Sequence, residues 1–172
     1  MGYQIGLLLG FAVGIAAGVA LLVMLLKKRV LDMHFDERQE RARGVAFQYG
    51  FFTLLACGLA LGFLDILHHW CDLMAGAALS ACIGVTVFAV TAIGRDAYLG
   101  LYEKPVKIMA LFGILAIFNL GLGLRCLLIG NIVEDGVLTY RVTNLMVGGM
   151  MLAVMAAYGL RCLLRRETED GE

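Results

Sequence analysis

Charged residues are scarce in this chain, and proline is almost absent. Of its 172 residues, 16% are charged and 61% are hydrophobic, and Pro105 is the single proline. Soluble domains carry about 25% charged and roughly 45–50% apolar residues. This composition, with a mean hydropathy of +0.86, excludes an ordinary soluble domain and predicts an integral membrane protein.

Familiar catalytic and ligand-binding motifs are missing as well. The sequence has no HExxH, GxSxG or P-loop pattern, and its five cysteines show no CxxC spacing. No Asp, Glu, Lys or His lies in the middle of an apolar run, where a proton-coupled transporter normally needs a relay. We therefore expect no enzyme activity, no cofactor and no resident metal. There is no basic face suited to nucleic acid, so we expect no nucleic-acid partner.

Five long apolar runs are what the sequence does contain. They cover approximately residues 5–26, 46–67, 73–94, 108–130 and 145–164. Each run is long enough to cross ~30 Å of hydrocarbon as a helix that rises about 1.5 Å per residue. Helices are required because a lipid-exposed backbone must satisfy its own hydrogen bonds. The prediction is an all-α bundle of five transmembrane helices that forms one domain over residues 1–172.

The uneven distribution of Lys and Arg predicts the orientation. Twelve of the fourteen lie in the first connection, the third connection or the C-terminal tail, and the exceptions are Arg125 and Arg141. The positive-inside rule then places the N-terminus outside and the C-terminus in the cytoplasm. The first run lacks a positively charged segment before it and is longer than the apolar part of a signal peptide, which favours a retained span. We expect a multi-pass protein of the bacterial cytoplasmic membrane.

A ladder of glycines runs down the first span. Gly6, Gly10, Gly14 and Gly18 recur at every fourth position. Small residues at this spacing let helix backbones approach closely within a membrane. The second, third and fifth spans carry similar rows of small residues. We therefore expect the ladder to pack against a neighbouring helix of the same chain, as a seam of the bundle.

The first connection predicts a helix that begins before the second span. Asp36 can cap a helix, and Gln39 stands three residues later, as in a capping box. One helix is expected from about residue 36 to about residue 67. Its charged end is either an ordinary solvated stem or a surface for a cytoplasmic partner, and the residues concerned are Asp36, Glu37, Arg38, Arg41 and Arg43.

Polar residues inside the spans are few and are candidates for a special role. Asp65 and Arg125 have opposite charges and similar predicted depths near the outer surface, so we expect either an ion pair or an Arg125 side chain that snorkels outward. Asn119 lies near the middle of the fourth span, and we expect it to bond to another helix.

The second connection is a short polar turn at the predicted outer face. His68, His69 and Asp72 are all residue types that can bind a metal ion. A helix must break here for the chain to return, however, so an interfacial polar turn is the preferred interpretation. In the fourth connection, Asp135 and Gly136 form a turn signal.

Two short motifs resemble a known group of proteins. The segment FDERQ, which begins at Phe35, and the segment Arg95-Asp96-Ala97-Tyr98 two spans later resemble small bacterial integral-membrane proteins with an FDERQ signature before a span. The resemblance covers about a quarter of the chain. It implies a small multi-pass membrane protein, and it transfers no active-site residues because that group has no established activity.

The sequence leaves three functional hypotheses. The first is a non-enzymatic accessory, scaffold or regulatory protein that acts through helix contacts, with the lipid bilayer and a membrane or cytoplasmic protein as partners. The second is a self-assembling, channel-like homo-oligomer or a small transporter. The third is a metal or small-ligand binder at the outer face, which would use the turn at residues 68–72.

Overall fold

Five long helices and one short β-hairpin make up the described part of the chain. The structure, a computed structural model, describes residues 2–27, 34–101, 103–130 and 132–169. The helices are α1 (Gly2–Lys27), α2 (Glu37–Leu67), α3 (Leu73–Gly94), α4 (Pro105–Leu128) and α5 (Thr143–Glu169). The hairpin pairs β1 (Val133–Glu134) with β2 (Val137–Leu138), and a 3-10 turn at Tyr140–Val142 leads into α5.

Four of the helices, α2 to α5, are long and apolar enough to cross a membrane. The prediction of a helical multi-pass membrane protein is confirmed at this level. The capping signal at Asp36 also placed the start of α2 correctly. Helix α2 begins one residue after Asp36, and Pro105 occupies the first turn of α4, where its missing N–H is harmless.

Helix α3 is one of the two inner helices in a row of four. It packs against α2 on one side and α5 on the other, and α4 packs against α5. Small side chains allow this close packing in a membrane. The residues that α3 buries are Ala75, Ser80, Gly84, Ala89, Ala92 and Ile93.

The two ends of the row differ in composition. The hairpin end holds the α2–α3 turn, the β-hairpin and the start of α5. The basic end holds the start of α2, the loop between α3 and α4 (residues 95–104) and the C-terminal part of α5. The Lys and Arg residues of the described chain concentrate at the basic end, which matches the charge distribution in the sequence.

The α2–α3 contact depends on two glycines. A Cβ atom at Gly50 would lie 2.8 Å from Phe88 Cβ and 2.9 Å from the Gly84 carbonyl oxygen. A Cβ atom at Gly84 would lie 2.8 Å from Leu54 Cβ. All three distances are shorter than real Cβ contacts, so the two backbones meet where only glycine fits. The small-residue rows predicted on the second and third spans do pack against each other here.

The α4–α5 contact uses glycines that the sequence analysis did not single out. A Cβ atom at Gly123 would lie 2.8 Å from the Leu145 backbone nitrogen. A Cβ atom at Gly148 would lie 2.6 Å from Leu120 Cγ. Neither glycine belongs to an obvious ladder of small residues at four-residue steps on its own helix, so the sequence pattern does not predict this contact.

The glycine ladder of α1 does not form the expected seam. A Cβ atom at Gly6, Gly14 or Gly18 would meet nothing within 4 Å, and the surroundings of Gly10 are not among those described. The side chains described on α1 are exposed. A physical reason is that the small faces of α2 and α3 are already engaged with each other, and the other side of α3 is covered by α5.

We expect Gly50→Ala to destabilise the protein by about 1–3 kcal/mol, because the added methyl group overpacks the α2–α3 contact. Gly62→Ala is the matched control on the same helix, since a Cβ at Gly62 meets nothing within 4 Å. That control should be neutral or slightly stabilising because alanine favours helix over glycine. Unfolding in mixed detergent micelles measures both variants, and equal effects would contradict the close contact.

Candidate functional site

The basic end begins with a capped helix. The Asp36 side chain accepts a hydrogen bond from the Gln39 backbone N–H at 2.6 Å. The Asp36 N–H donates to Gln39 Oε1 at 3.3 Å, which completes the predicted capping box. These two reciprocal hydrogen bonds fix the residue at which α2 begins. They thereby also fix the directions in which the following side chains of α2 point.

Two side chains of α2 hold the loop between α3 and α4. Gln39 Nε2 donates to the carbonyl oxygen of Asp96 at 3.0 Å and, more weakly, to that of Leu99 at 3.4 Å. Arg43 Nη1 donates to the carbonyl oxygens of Ala97 and Tyr98, both at 3.2 Å. Backbone carbonyls just past a helix end need such donors, since the helix itself supplies none.

Aromatic contacts extend this connection. The Arg43 guanidinium lies over the Phe35 ring, 4.0 Å from its centroid, and 5.7 Å from the centroid of Phe88 on α3. These distances suit cation–π attraction. The Leu101 N–H also donates to the His34 carbonyl oxygen at 3.0 Å. The FDERQ segment and the Arg95–Tyr98 segment therefore meet in space although more than fifty residues separate them. We call this contact the loop clasp, formed by Phe35, Gln39 and Arg43 on residues 96–99.

Asp96 connects the clasped loop to α5. Its backbone adopts the left-handed region with φ of 54°, a conformation that a short polar side chain tolerates. Its carboxylate accepts two hydrogen bonds from Arg161, 3.1 Å from Nε and 2.7 Å from Nη2. The hydrogen bond from Arg161 lowers the pKa of the Asp96 carboxyl, and the charges of Arg165 and Arg38 act in the same direction. Asp96 thus stays ionised and orients α5 against the loop.

Tyr98 fills the space behind the clasp. It packs against the cluster of Ala89, Ile93 and Val154. Burial, with a smaller contribution from the Glu103 carboxylate, raises the pKa of Tyr98 to about 12. A narrow cleft of about 200 Å³ lies beside it. Its charged lining groups already have partners within the chain, because Glu103 accepts from the Gly100 N–H at 2.7 Å and Asp96 is held by Arg161.

The five residues predicted to contact a cytoplasmic partner divide into two sets. Asp36 and Arg43 are occupied by the cap and the loop clasp, so their role in the described structure is internal. Glu37 and Arg41 form an exposed ion pair of 2.6 Å one helical turn apart, and such pairs contribute little. Arg38 is exposed and acts on Asp96 by its charge.

At the hairpin end, Asp72 caps two helix starts at once. Its Oδ1 atom accepts from the Ala75 N–H at 2.6 Å, as the N-cap of α3. Its Oδ2 atom accepts from the Tyr140 N–H at 2.6 Å, at the first residue of the 3-10 turn before α5. Each oxygen satisfies a backbone donor that the helix leaves free. One carboxylate therefore joins the α2–α3 turn to the α4–α5 connection.

The β-hairpin docks on the same turn. The Leu138 N–H donates to the Trp70 carbonyl oxygen, and the Asp72 N–H donates to the Leu138 carbonyl oxygen, both at 2.8 Å. The hairpin's two-residue turn has positive φ at Asp135 (51°) and Gly136 (81°), the backbone that Asp-Gly favours. The predicted turn is confirmed at these residues, and the paired strands around it add a small element that the all-helical prediction lacked.

The structure does not gather the residues considered for a metal site. His69 Nδ1 lies 2.9 Å from Asp65 Oδ1, while Asp72 is occupied by the two caps. His68 is exposed at the end of α2. Within residues 2–27, 34–101, 103–130 and 132–169, no group of three or more His, Cys, Asp or Glu is placed to hold a metal ion.

The predicted ion pair between Asp65 and Arg125 does not form. Asp65 pairs with His69 instead, and Arg125 lies on α4, at the opposite edge of the helix row from α2. Similar depth in the membrane was not enough, because two helices lie between them. Asn119 also differs from its prediction, since its side-chain amide donates to the Leu115 carbonyl of its own helix at 2.8 Å. We had expected a bond to another helix.

All five cysteines are free. Cys71 is buried at the hairpin end, in a cluster with Ala75, Ile132 and Val142, and Cys126 packs against that cluster. Burial raises the pKa of the Cys71 thiol, and the nearby carboxylates of Asp65 and Asp72 raise it further. A thiol held in its neutral form is a weak nucleophile, so Cys71 acts here as a small apolar residue.

Comparison with known proteins finds no protein-family model, curated protein or solved structure that matches the chain. Its function must therefore be argued from its own residues.

Three residues at the two ends have partners that the sequence pattern does not predict. The sequence predicts Gln39 as part of a cap and Asp72 as a turn residue, and it predicts no specific partner for Arg161. Each of the three bonds to a segment more than fifty residues away. The resemblance of both segments to one group of proteins was the signal that could have linked Gln39 and Arg43 to residues 95–98.

We expect Arg43→Lys to destabilise the protein by about 1.5–3 kcal/mol, the range for hydrogen bonds to charged groups. A lysine lacks the planar guanidinium that stacks on Phe35 while donating to two carbonyls. Arg41→Lys is the matched control two residues earlier on the same helix, because Arg41 pairs with Glu37 in an exposed ion pair. Limited proteolysis of residues 95–101 reports the released loop. If both variants resist cleavage equally, the clasp does not hold the loop.

The raised pKa of Tyr98 predicts a loss of stability at high pH. The folded state favours the neutral phenol, so this contribution is intact below the ordinary tyrosine pKa of about 10 and disappears as pH rises through about 12. The free energy of unfolding should fall less steeply between pH 10 and 12 in Tyr98→Phe than in the unmodified protein. Parallel curves for the two proteins would show that Tyr98 is not buried as described.

Proposed function

We propose that the chain is a non-enzymatic multi-pass protein of the bacterial cytoplasmic membrane, with five spans, an outer N-terminus and a cytoplasmic C-terminus. It serves as an accessory, scaffold or regulatory subunit that acts through helix contacts. The observation that carries this proposal is the contrast between α1 and the other helices. Helices α2 to α5 pack into one row, whereas the described glycines of α1 present an uncovered small face.

The polar groups within the row support a structural rather than a chemical role. In the described residues, Thr86 and Asn119 bond to carbonyls of their own helices, as does Ser80. At the two ends, Arg43, Asp72 and Asp96 are engaged in hydrogen bonds that join separate segments of the chain. These arrangements stabilise the α2–α5 row and fix the positions of its ends. A scaffold or regulatory subunit needs such a stable part beside the helix that contacts its partner.

The topology proposal rests on charge and length. Helix α1 has 26 residues, enough to cross ~30 Å of hydrocarbon, and its described apolar side chains are exposed as lipid contact requires. With α1 as a fifth span, the basic end faces the cytoplasm by the positive-inside rule. The resemblance of the loop-clasp segments to small bacterial membrane proteins supports the same assignment, because both segments lie at that end.

A homo-oligomer joined through α1, as in a channel-like assembly, is the second candidate. The same uncovered glycine face favours it, since rows of small residues also mediate contacts between identical helices. The two candidates differ in what occupies that face, which is another protein in the first and a second copy of this chain in the second.

Affinity purification from native membranes in mild detergent tests the proposal. The unmodified protein should carry a second membrane protein, and Gly14→Leu should lose it because the added side chain blocks the small face. Val13→Leu is the matched control, an exposed apolar exchange on the same helix. Both variants should keep the stability of the α2–α5 row, and a cytoplasmic reporter at the C-terminus should stay active.

The mass of the purified complex decides between the candidates. A multiple of 18.6 kDa alone identifies the homo-oligomer. A monomer that carries no other protein, or a partner retained fully by Gly14→Leu, would contradict the proposed role of α1.

A further inference from the structure

A cleft opens between α2 and α3 toward the hairpin end. The helices touch at Gly50 and Gly84, and at Gly58 a Cβ would still lie 3.9 Å from Ser80 Oγ. Closer to the hairpin end, a Cβ at Gly62 would meet nothing within 4 Å. The two helices therefore diverge along their length, and the space between them is about 370 Å³. Small-molecule sites in proteins start at roughly 300 Å³.

The walls and the mouth of this cleft differ in chemistry. The walls are apolar and include Leu61, Leu73 and Ala77, and the mouth carries Asp65, His69 and Asp72. None of the residues that line the cleft is Lys or Arg. The cleft therefore combines an apolar space that can hold a hydrocarbon chain with an acidic entrance. This combination favours an amphiphile with a positively charged headgroup.

Asp65 is the acid that remains able to bind a ligand. Both oxygens of Asp72 already accept backbone hydrogen bonds, from Ala75 and from Tyr140. Asp65 uses Oδ1 for His69, and no described residue donates to its Oδ2 atom. The Asp65 side chain is 42% exposed, so an incoming group can reach that oxygen without unfolding the turn.

We propose that this cleft binds a phospholipid whose headgroup carries a primary ammonium, with the ammonium on Asp65 and one acyl chain along Gly58, Gly62 and Ala77. An ammonium group offers three N–H donors, and charge-assisted hydrogen bonds to a carboxylate are the strong ones. The missing side chains at the two glycines leave room for the acyl chain. The inference rests on the proposed membrane placement of α2 and α3, but not on which side their hairpin end faces.

Phosphatidylethanolamine and phosphatidylcholine form the matched pair of probes. Both headgroups carry one phosphate and one cationic nitrogen, but only the first has N–H donors. The purified full-length protein is incubated with equal amounts of the two lipids, and native mass spectrometry counts the lipid that each protein molecule retains. We expect about tenfold preference for phosphatidylethanolamine, the value of one hydrogen bond to a charged group.

Two variants test the headgroup contact. Asp65→Asn keeps the shape of the side chain and removes its charge, so the preference should fall to about one. Glu134→Gln is the control, because Glu134 is an acid at the same end that pairs with Arg141 and does not line the cleft. It should keep the full preference.

Two further variants test the apolar part of the cleft. Gly62→Leu should place a side chain in the open space and reduce retention of both lipids. Gly121→Leu is the control, an exposed glycine on α4 with no atom within 4 Å of its Cβ. Should Gly62→Leu fail to fold, the isosteric Asp65→Asn still decides the question.

Equal retention of the two lipids by the unmodified protein would overturn the proposal, as would an unchanged preference in Asp65→Asn. Stronger retention of anionic phosphatidylglycerol would also overturn it, because the acidic mouth should repel that lipid. Extraction of the cell membranes with alkaline carbonate separates this failure from that of the membrane assignment. A protein that stays in the carbonate-resistant fraction without lipid preference contradicts the cleft proposal alone.

Discussion

The fold depends on how the chain satisfies its backbone where the helices stop. Inside a helix, each backbone carbonyl oxygen accepts a hydrogen bond from an N–H group of the same helix. The carbonyl oxygens of the loop after α3 have no such donors. The loop clasp supplies those donors from another helix, with Gln39 and Arg43 reaching carbonyls of residues 96–99. Because Arg43 also stacks on Phe35, one side chain holds the chain segment before α2 and the loop after α3 together.

This single connection has consequences for the rest of the row. Asp96 is held by its backbone in the clasped loop, and its carboxylate fixes Arg161 of α5. Helices α2, α3 and α5 are therefore joined through this loop at the basic end. Asp72 performs the equivalent task at the hairpin end, where one carboxylate joins the starts of α3 and α5. Between the two ends, the close contact of Gly50 with Gly84 sets the distance between α2 and α3.

The structure also explains what the sequence could predict and what it could not. Helix lengths, the Asp36 cap and the turn at Asp135 and Gly136 follow from neighbouring residues, so they were predictable. The partners of Gln39, Arg43 and Asp72 lie more than fifty residues away, and no periodic pattern encodes that distance. Asp65 and Arg125 show the limit most clearly: equal depth in the bilayer says nothing about the order of helices in the row. The uncovered face of α1 likewise required the structure, because a glycine ladder looks the same whether its partner is the same chain or another.

The proposed roles occupy different parts of this architecture. The glycine face of α1 is the proposed site of protein contacts, and the α2–α3 cleft at the hairpin end is the proposed lipid site. The loop clasp lies at the basic end, where it holds the loop after α3.

Solid-state NMR of the protein in lipid bilayers tests the loop clasp most directly. Nitrogen-15 in arginine side chains and carbon-13 in alanine carbonyls would be used to detect Arg43 next to Ala97, where the nitrogen-to-oxygen distance is 3.2 Å. A dipolar contact that disappears in Arg43→Lys and persists in Arg41→Lys is the predicted result. Its absence from the unmodified protein, or its persistence in Arg43→Lys, would contradict the account.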